Sequence, residues 1–239
     1  MTERRPSAGK PAKEAAERPK RPSRRPAARD MDATTFARIL HELIDRLPGA
    51  YAAALVDLGG ETVDYSGIVD PFDVKVAAAH LRIILNDLYE YGALGAPRWV
   101  VLRGQRRSFV ARQLPDGYAL VVMLRRRAGF TASTRAYAAC ERALAAEAGW
   151  TVPKSAAAWF AIEVEVDRRG RPTKVDGGPK ARDVKVEVFG AMVGLRRNER
   201  GFRARTATGG ELNLVREAGN NWYADEDLEA LDAGDGAPP

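Results

Sequence analysis

The sequence predicts an α+β protein in which a helix-and-sheet domain, with a five-stranded antiparallel sheet, precedes a small all-β module. Two observations predict this architecture. In the first 150 of the 239 residues, three segments with helical spacing of apolar residues alternate with five short apolar segments of strand length. After residue 153, the segments alternate between apolar and charged residues, which is typical of strands. The predicted order in the first domain is α-β-β-α-β-β-β-α.

A helix and a β-hairpin open this domain. Apolar residues recur three and four positions apart from Phe36 to Leu47, and Pro48-Gly49 then ends the helical pattern. A side-chain oxygen among residues 32–35 can accept the free backbone amides at the start of that helix. Two short apolar runs joined by Gly59-Gly60 follow, and we interpret them as a β-hairpin.

The second helix carries the most information about function. Asp70-Pro71 is a helix-start signal, and the helical pattern continues from Phe72 to about Leu94. Its apolar residues cover more than the stripe of about 100° that a single core requires. We therefore expect one face to pack on the domain's own sheet and another on a second copy of the chain. The alternative is a monomer whose C-terminal region covers this second face.

Three strands and a third helix complete the domain. Three apolar segments between residues 98 and 124 are separated by short turn signals, which indicates an antiparallel meander. An alanine-rich helix follows, opened by Thr131 or Ser133 and closed by Gly149.

Charge is distributed unevenly along the chain. Residues 1–30 hold ten Lys and Arg against four Asp and Glu, whereas residues 225–239 hold six acids and no base. The basic segment has five prolines and no Val, Ile, Leu or aromatic residue, so we expect a disordered tail. The predicted divisions are a basic Pro-rich tail (1–30), a helix-and-sheet domain (31–150), a β-rich module (154–225) and an acidic disordered tail (226–239).

Three arginines cluster at one predicted turn of the first domain: Arg103, Arg106 and Arg107. Guanidinium groups bind carboxylates and phosphates well, so the cluster is a candidate contact for an acidic partner. The alternative is a solvated rim without a partner.

Two stretches of the sequence, "ILHELIDRLPGAYAAALVDLGGETVDYSG" and "LPDGYALVVML", together with the order of elements, resemble the Roadblock family of dynein light-chain-type domains. The shared features are a helix ending in Leu-Pro-Gly, an apolar strand, an Asp with a Gly turn, a second strand, a long helix and a closing strand. The resemblance covers about Asp32 to Gly149, roughly half the chain. Longin and profilin-like domains share a related layout.

The resemblance implies a homodimeric regulator or scaffold whose second helices pair across a two-fold axis and bind a Ras-like small GTPase, as an activating partner or as an adaptor. Arg82, Asn86 and Glu90 would add polar contacts. The alternatives are a GTPase-independent assembly scaffold and, less favoured, a nucleic-acid-associated protein that uses the basic tail. The expected dimer or partner interface comprises Val76, Ala77, His80, Leu81, Ile83, Ile84, Asp87, Leu88 and Tyr91.

The sequence argues against an enzyme. It lacks the G-x-S-x-G nucleophile motif and the G-x-x-x-x-G-K-[ST] phosphate loop. Cys140 is the only cysteine and there are two histidines, so neither an internal disulfide nor structural zinc is expected. We therefore expect no catalytic residues, cofactor or metal. Without a run of about 18 apolar residues, a cytoplasmic protein without a membrane span is expected.

Overall fold

The computed structural model describes residues 29–92, 99–126, 133–151, 159–177 and 182–228, together with positions 95, 97, 128 and 231. The predicted basic tail, except for Arg29 and Asp30, lies outside the described residues, as does most of the predicted acidic tail. None of the helices in the described ranges has both the length and the apolar character needed to cross a membrane.

The described elements number consecutively along the chain. The helices are α1 (Thr35–Arg46), α2 (Pro71–Glu90) and α3 (Thr134–Ala148). The strands of the first domain are β1 (Ala50–Val56), β2 (Thr62–Gly67), β3 (Trp99–Arg103), β4 (Arg107–Gln113) and β5 (Ala119–Arg125). The strands of the second module are β6 (Phe160–Val166), β7 (Pro172–Asp176), β8 (Val184–Ala191), β9 (Arg200–Thr206), β10 (Glu211–Arg216) and β11 (Trp222–Ala224).

Local sequence signals set the ends of the helices. The hydroxyl of Thr34 accepts the Phe36 amide at 3.1 Å and caps α1. The hydroxyl of Ser133 accepts the Ala136 amide at 2.9 Å and caps α3, which ends at Gly149 in the left-handed conformation with φ 70°. The predicted cap at Ser133 and the predicted end at Gly149 are therefore confirmed. The predicted end of the second helix, near Leu94, lies outside the described residues, and α2 itself ends at Glu90.

The predicted five-stranded antiparallel sheet is confirmed. Its strand order is β2-β1-β5-β4-β3, so β1 and β5 lie at the centre and β2 and β3 form the edges. The two central strands are nearly continuous apolar runs because helices cover both faces of the sheet. Alternate residues of β5 serve the two sides: Leu120 and Val122 pack with α1 and α3, whereas Val121 and Met123 pack with α2.

The predicted all-β module forms a closed barrel of six strands in the order β10-β11-β6-β7-β8-β9. Its interior holds alternating side chains of the strands, including Ile162, Leu214 and Trp222. Leu228, just after the last strand, is buried in the same cluster. The module is thus a packed barrel with its own core.

The barrel docks on the α1 and α3 side of the first domain. Tyr223 of β11 points away from the barrel interior and is fully buried in the core that α1 and α3 form with the sheet. The side-chain amide of Asn221 donates to the Arg46 carbonyl oxygen at 3.1 Å, at the end of α1. The layers therefore run α2, sheet, α1 with α3, and barrel. The described part of the barrel leaves several side chains of α2 exposed.

Candidate partner-binding surface on the second helix

The inner stripe of α2 attaches this helix to the sheet. Asp70 caps the helix by accepting the Phe72 amide at 3.0 Å, and Pro71 occupies its first turn. The 20 residues of α2 span about 30 Å at about 1.5 Å per residue. Val74, Ala78, Leu81 and Leu85 are buried against the sheet.

The outer face of α2, which we call the α2 face, is rich in exposed apolar side chains. The exposed fraction is 72% for Phe72, 56% for Ile83 and 67% for Tyr91. Val76 is also exposed on this face. Single exposed apolar residues are common, but a group of them on one helix indicates a surface that binds a partner.

The edge strand β3 extends this apolar surface. Alternation along the strand places Leu102 on the same side of the sheet as Val100, which packs with the α2 cluster. Leu102 is exposed, and β3 pairs only with β4 in the described sheet. The free edge can therefore accept another strand.

Eight of the nine predicted interface residues are at least partly accessible, and Leu81 is not. Leu81 is 4% exposed and packs on the sheet, so it belongs to the core. Leu85, which is not among the predicted interface residues, also faces inward. The buried stripe advances from Val74 by four, three and four residues, and it therefore includes both Leu81 and Leu85. The accessible predicted residues are Val76, Ala77, His80, Ile83, Ile84, Asp87, Leu88 and Tyr91.

Arg82 is a second correction, because the sequence suggests a polar contact with a partner. Its side chain is buried between α2 and the sheet, and its Nη1 donates to Gln113 Oε1 at 3.2 Å. Burial lowers the pKa of Arg82, and the nearby carboxylate of Asp57 opposes this shift. The residue serves the packing of α2 rather than its outer face.

The arginine cluster at the β3–β4 turn is also partly committed within the domain. Arg107 Nη2 donates to Asp73 Oδ2 at 2.8 Å, which ties β4 to the first turn of α2. This hydrogen bond raises the pKa of Arg107. Arg103 and Arg106 are exposed at the same turn. Arg107 of the predicted cluster is therefore already paired with Asp73 of its own domain.

Sequence reasoning missed a polar cluster beside the N-terminal part of α2. Lys75 Nζ donates to Asp30 Oδ2 at 2.7 Å, and the Tyr65 hydroxyl donates to Asp30 Oδ1 at 2.8 Å. These hydrogen bonds, that of Lys75 first, lower the pKa of Asp30. Arg29 binds the buried carboxylate of Asp64. The partners lie more than 30 positions apart in the chain, so no local pattern announces them.

The described side chains do not assemble an evident reaction centre. Cys140 is buried at a cleft of about 270 Å³ between α1, α3 and β6. Burial raises the pKa of its thiol far above the usual range, so the thiol stays protonated at neutral pH. Within the described ranges, no three His, Cys, Asp or Glu residues group as metal ligands. The α2 face is the stronger candidate site.

The known proteins that resemble this chain resemble its first domain. No protein-family model matches the chain, and no curated protein matches it. Solved structures of Roadblock/LC7 proteins match the N-terminal half. A Roadblock/LC7 domain from Streptomyces avermitilis is 23% identical, and the match covers 46% of this chain and 88% of that one with a TM-score of 0.35. MglB from Myxococcus xanthus is 16% identical, with 48% and 98% covered and a TM-score of 0.41. MglC from the same organism is 22% identical, with 48% and 99% covered and a TM-score of 0.36.

Proposed function

We propose that the protein is a homodimer joined through the α2 face, and that the dimer regulates or scaffolds a Ras-like small GTPase. The observation that carries the proposal is the uncovered apolar surface of α2, which faces away from both the sheet and the barrel. The Roadblock resemblance of the first domain implies the same dimer and the same class of partner.

The size of the surface favours a dimer that uses both α2 and β3. One face of a helix about 30 Å long and 10 Å wide offers roughly 300 Å². A stable interface usually buries about 800 Å² on each partner. The apolar side of β3, with Leu102 exposed next to the helix, supplies additional area and free backbone groups for edge pairing.

Replacing Ile83 with glutamate tests the dimer. Because Ile83 is 56% exposed, the substitution should leave the folded monomer intact while placing a carboxylate in the apolar interface. We expect light scattering after size exclusion to report a dimer of the 26.1 kDa wild-type chain and a monomer for I83E. Leu58→Glu is the matched control, since Leu58 is 63% exposed on the β1–β2 turn. A monomeric wild type, or equal dissociation by L58E, would contradict the proposal.

The GTPase partner is tested separately. Ras-like proteins of the host organism, loaded with a GTP analogue or with GDP, should be retained by the immobilised protein with a preference for one nucleotide state. His80 and Asp87 lie exposed on α2, and the part of each that the dimer leaves uncovered would offer polar contacts to such a partner. Phosphate release with and without the protein then separates an activating partner from an adaptor.

Each outcome of this second test assigns a role. Nucleotide-dependent binding that I83E abolishes supports GTPase regulation through the dimer. If the wild type dimerises but no GTPase binds in either state, the GTPase role is refuted. The dimer would then act as an assembly scaffold independent of GTPases.

A further inference from the structure

The paired ends of β4 and β5 bring four arginines together. Arg107 and Arg125 lie directly opposite each other in the β4–β5 register, so their side chains share one face of the sheet. Arg106 precedes Arg107 and Arg126 follows Arg125, so these two residues extend the pair beyond the end of the ladder. All four side chains are exposed. Two clusters that are separate in the sequence therefore form one basic surface, which we call the arginine surface.

The arginine surface carries more positive charge than its neighbours neutralise. Like charges that lie directly opposite each other in an antiparallel pair destabilise a sheet. Asp73 Oδ2 accepts from Arg107 Nη2 at 2.8 Å and neutralises one member of the pair. Arg106, Arg125 and Arg126 form no ion pair with any residue in the described ranges. Their guanidinium groups are therefore available to bind an anionic group of another molecule.

Acidic residues limit the arginine surface on the side of α2. Asp70 caps that helix and Asp73 lies in its first turn, in contact with Arg107. A bilayer or a nucleic-acid backbone presents many anions in a row and would bring some of them against these carboxylates. A single compact anion avoids them and still meets three guanidinium groups. A phosphate monoester fits best, because it has a charge of about −1.5 to −2 and three acceptor oxygens at neutral pH.

An exposed apolar side chain lies at the same end of the sheet. Ile68 follows β2 directly and is 76% exposed. Its amide donates to the Tyr51 carbonyl oxygen at 3.0 Å, and Tyr51 lies beside the end of β5. Because only β1 separates β2 from β5, the backbones of Ile68 and Arg125 are about 10 Å apart at a strand spacing of about 4.8 Å. An extended peptide spans that distance with about three residues.

We propose that the arginine surface binds a phosphorylated serine or threonine of a partner protein that carries an apolar residue about three positions away. The phosphate would accept hydrogen bonds from Arg106, Arg125 and Arg126, and the apolar residue would pack on Ile68. None of these four residues belongs to the α2 face. Binding of the phosphopeptide is therefore independent of the proposed dimer and of the GTPase.

Fluorescence anisotropy on the full chain tests the proposal. The probe is a labelled 12-residue peptide of glycine and serine with phosphoserine at its fifth position and leucine at its eighth. We expect the unphosphorylated peptide to bind about tenfold more weakly, and Arg125→Gln combined with Arg126→Gln to weaken phosphopeptide binding about tenfold. Ile68→Ser should weaken it about threefold, since an exposed apolar contact is lost.

The pH dependence separates a phosphate from a carboxylate. The second pKa of a phosphate monoester is about 6, so the dianion dominates above that pH while the arginines stay charged throughout. Phosphopeptide binding should therefore tighten as the pH rises from about 5.5 to about 7.5. A peptide with glutamate in place of phosphoserine is largely ionised over this range and should bind weakly, without such a change.

The matched control removes two arginines of the barrel. Arg168→Gln with Arg169→Gln changes the net charge equally at the exposed β6–β7 turn and should leave phosphopeptide binding unchanged. The proposal is wrong if phosphorylation does not strengthen peptide binding, or if both double variants weaken it equally. It is also wrong if inorganic phosphate competes as well as the unlabelled phosphopeptide, or if phosphatidylserine vesicles bind more tightly and depend on Arg125 and Arg126. The surface would then serve a small anion or a membrane.

Discussion

Replacing Arg135 with leucine is expected to lower the free energy of unfolding by about 3–5 kcal/mol, the cost of leaving buried partners of an ion pair without their counter-charge. Nη1 of Arg135 lies 2.8 Å from Glu217 Oε1 and 3.3 Å from Glu199 Oε1. Both glutamates belong to the barrel, and their side chains are only 11% and 7% exposed. The arginine also stacks over Trp159, 4.6 Å from the ring centre. Without it, two carboxylates remain at a closed interface.

Urea unfolding followed by tryptophan emission measures this loss. Because the stacked cation covers Trp159, we also expect the emission of the folded variant to move to longer wavelength as the barrel loosens from α3. Arg38→Leu is the control, since Arg38 pairs with Glu42 at the surface, where both side chains are more than half exposed. Its effect should stay within about 0.5 kcal/mol. An R135L variant as stable as R38L would show that the ion network does not hold the barrel.

The order of elements in the first domain is encoded locally, which is why the sequence predicts it. Helix ends coincide with strong signals such as Thr34, Ser133 and Gly149, whose conformations depend on immediate neighbours. The central strands are uninterrupted apolar runs bounded by turn residues. Each of these patterns involves residues that lie within about four positions of one another, so a single sequence is sufficient to predict the helices and strands from them.

Closure and docking of the barrel depend on distant residues and could not be predicted. The alternating strands after residue 153 indicate an all-β module, but the pairing of β11 with β6 joins residues as far apart in the chain as Trp222 and Ile162, and no local pattern predicts it. Tyr223, on the opposite side of the same strand, becomes part of the first domain's core. Nothing near Tyr223 in the sequence distinguishes this outward aromatic residue from an ordinary barrel residue.

At the candidate site, too, the local sequence predicts one feature and leaves another undecided. Excess apolar residues on the second helix predict a second face, and Ile83 and Tyr91 are indeed exposed. Which residues face inward could not be decided, because a helix with apolar residues all round has no unique stripe. Leu81 and Leu85 lie only four positions apart, and the rotation of the helix follows from its packing in the cluster that Ala78, Leu81 and Leu85 form with the sheet.

Asp64 lies on the edge strand β2, and its buried carboxylate holds the start of the described chain through Arg29. The carboxylate is fully buried and accepts the backbone amides of Ala37 at 3.0 Å and of Tyr65 at 2.7 Å. The Thr34 hydroxyl and the Arg29 guanidinium donate to the same group. Ala37 lies in the first turn of α1, where backbone amides lack partners within the helix and negative charge is favoured. Asp64 thus stabilises a helix end and neutralises a cation.

Changing Asp64 to alanine is expected to cost about 3–5 kcal/mol of unfolding free energy, because Arg29 loses its counter-charge and the α1 amide loses its acceptor. Arg29→Ala should be comparably severe, and the double variant should be less destabilised than the sum of the two, since each single change leaves a partner unsatisfied. Trypsin should also cut sooner after Arg29 in D64A, because the guanidinium loses the ion pair that holds it to β2. Asp45→Ala, at an exposed carboxylate of α1, is the control. Strict additivity of the Arg29 and Asp64 changes in urea unfolding would contradict a coupled pair.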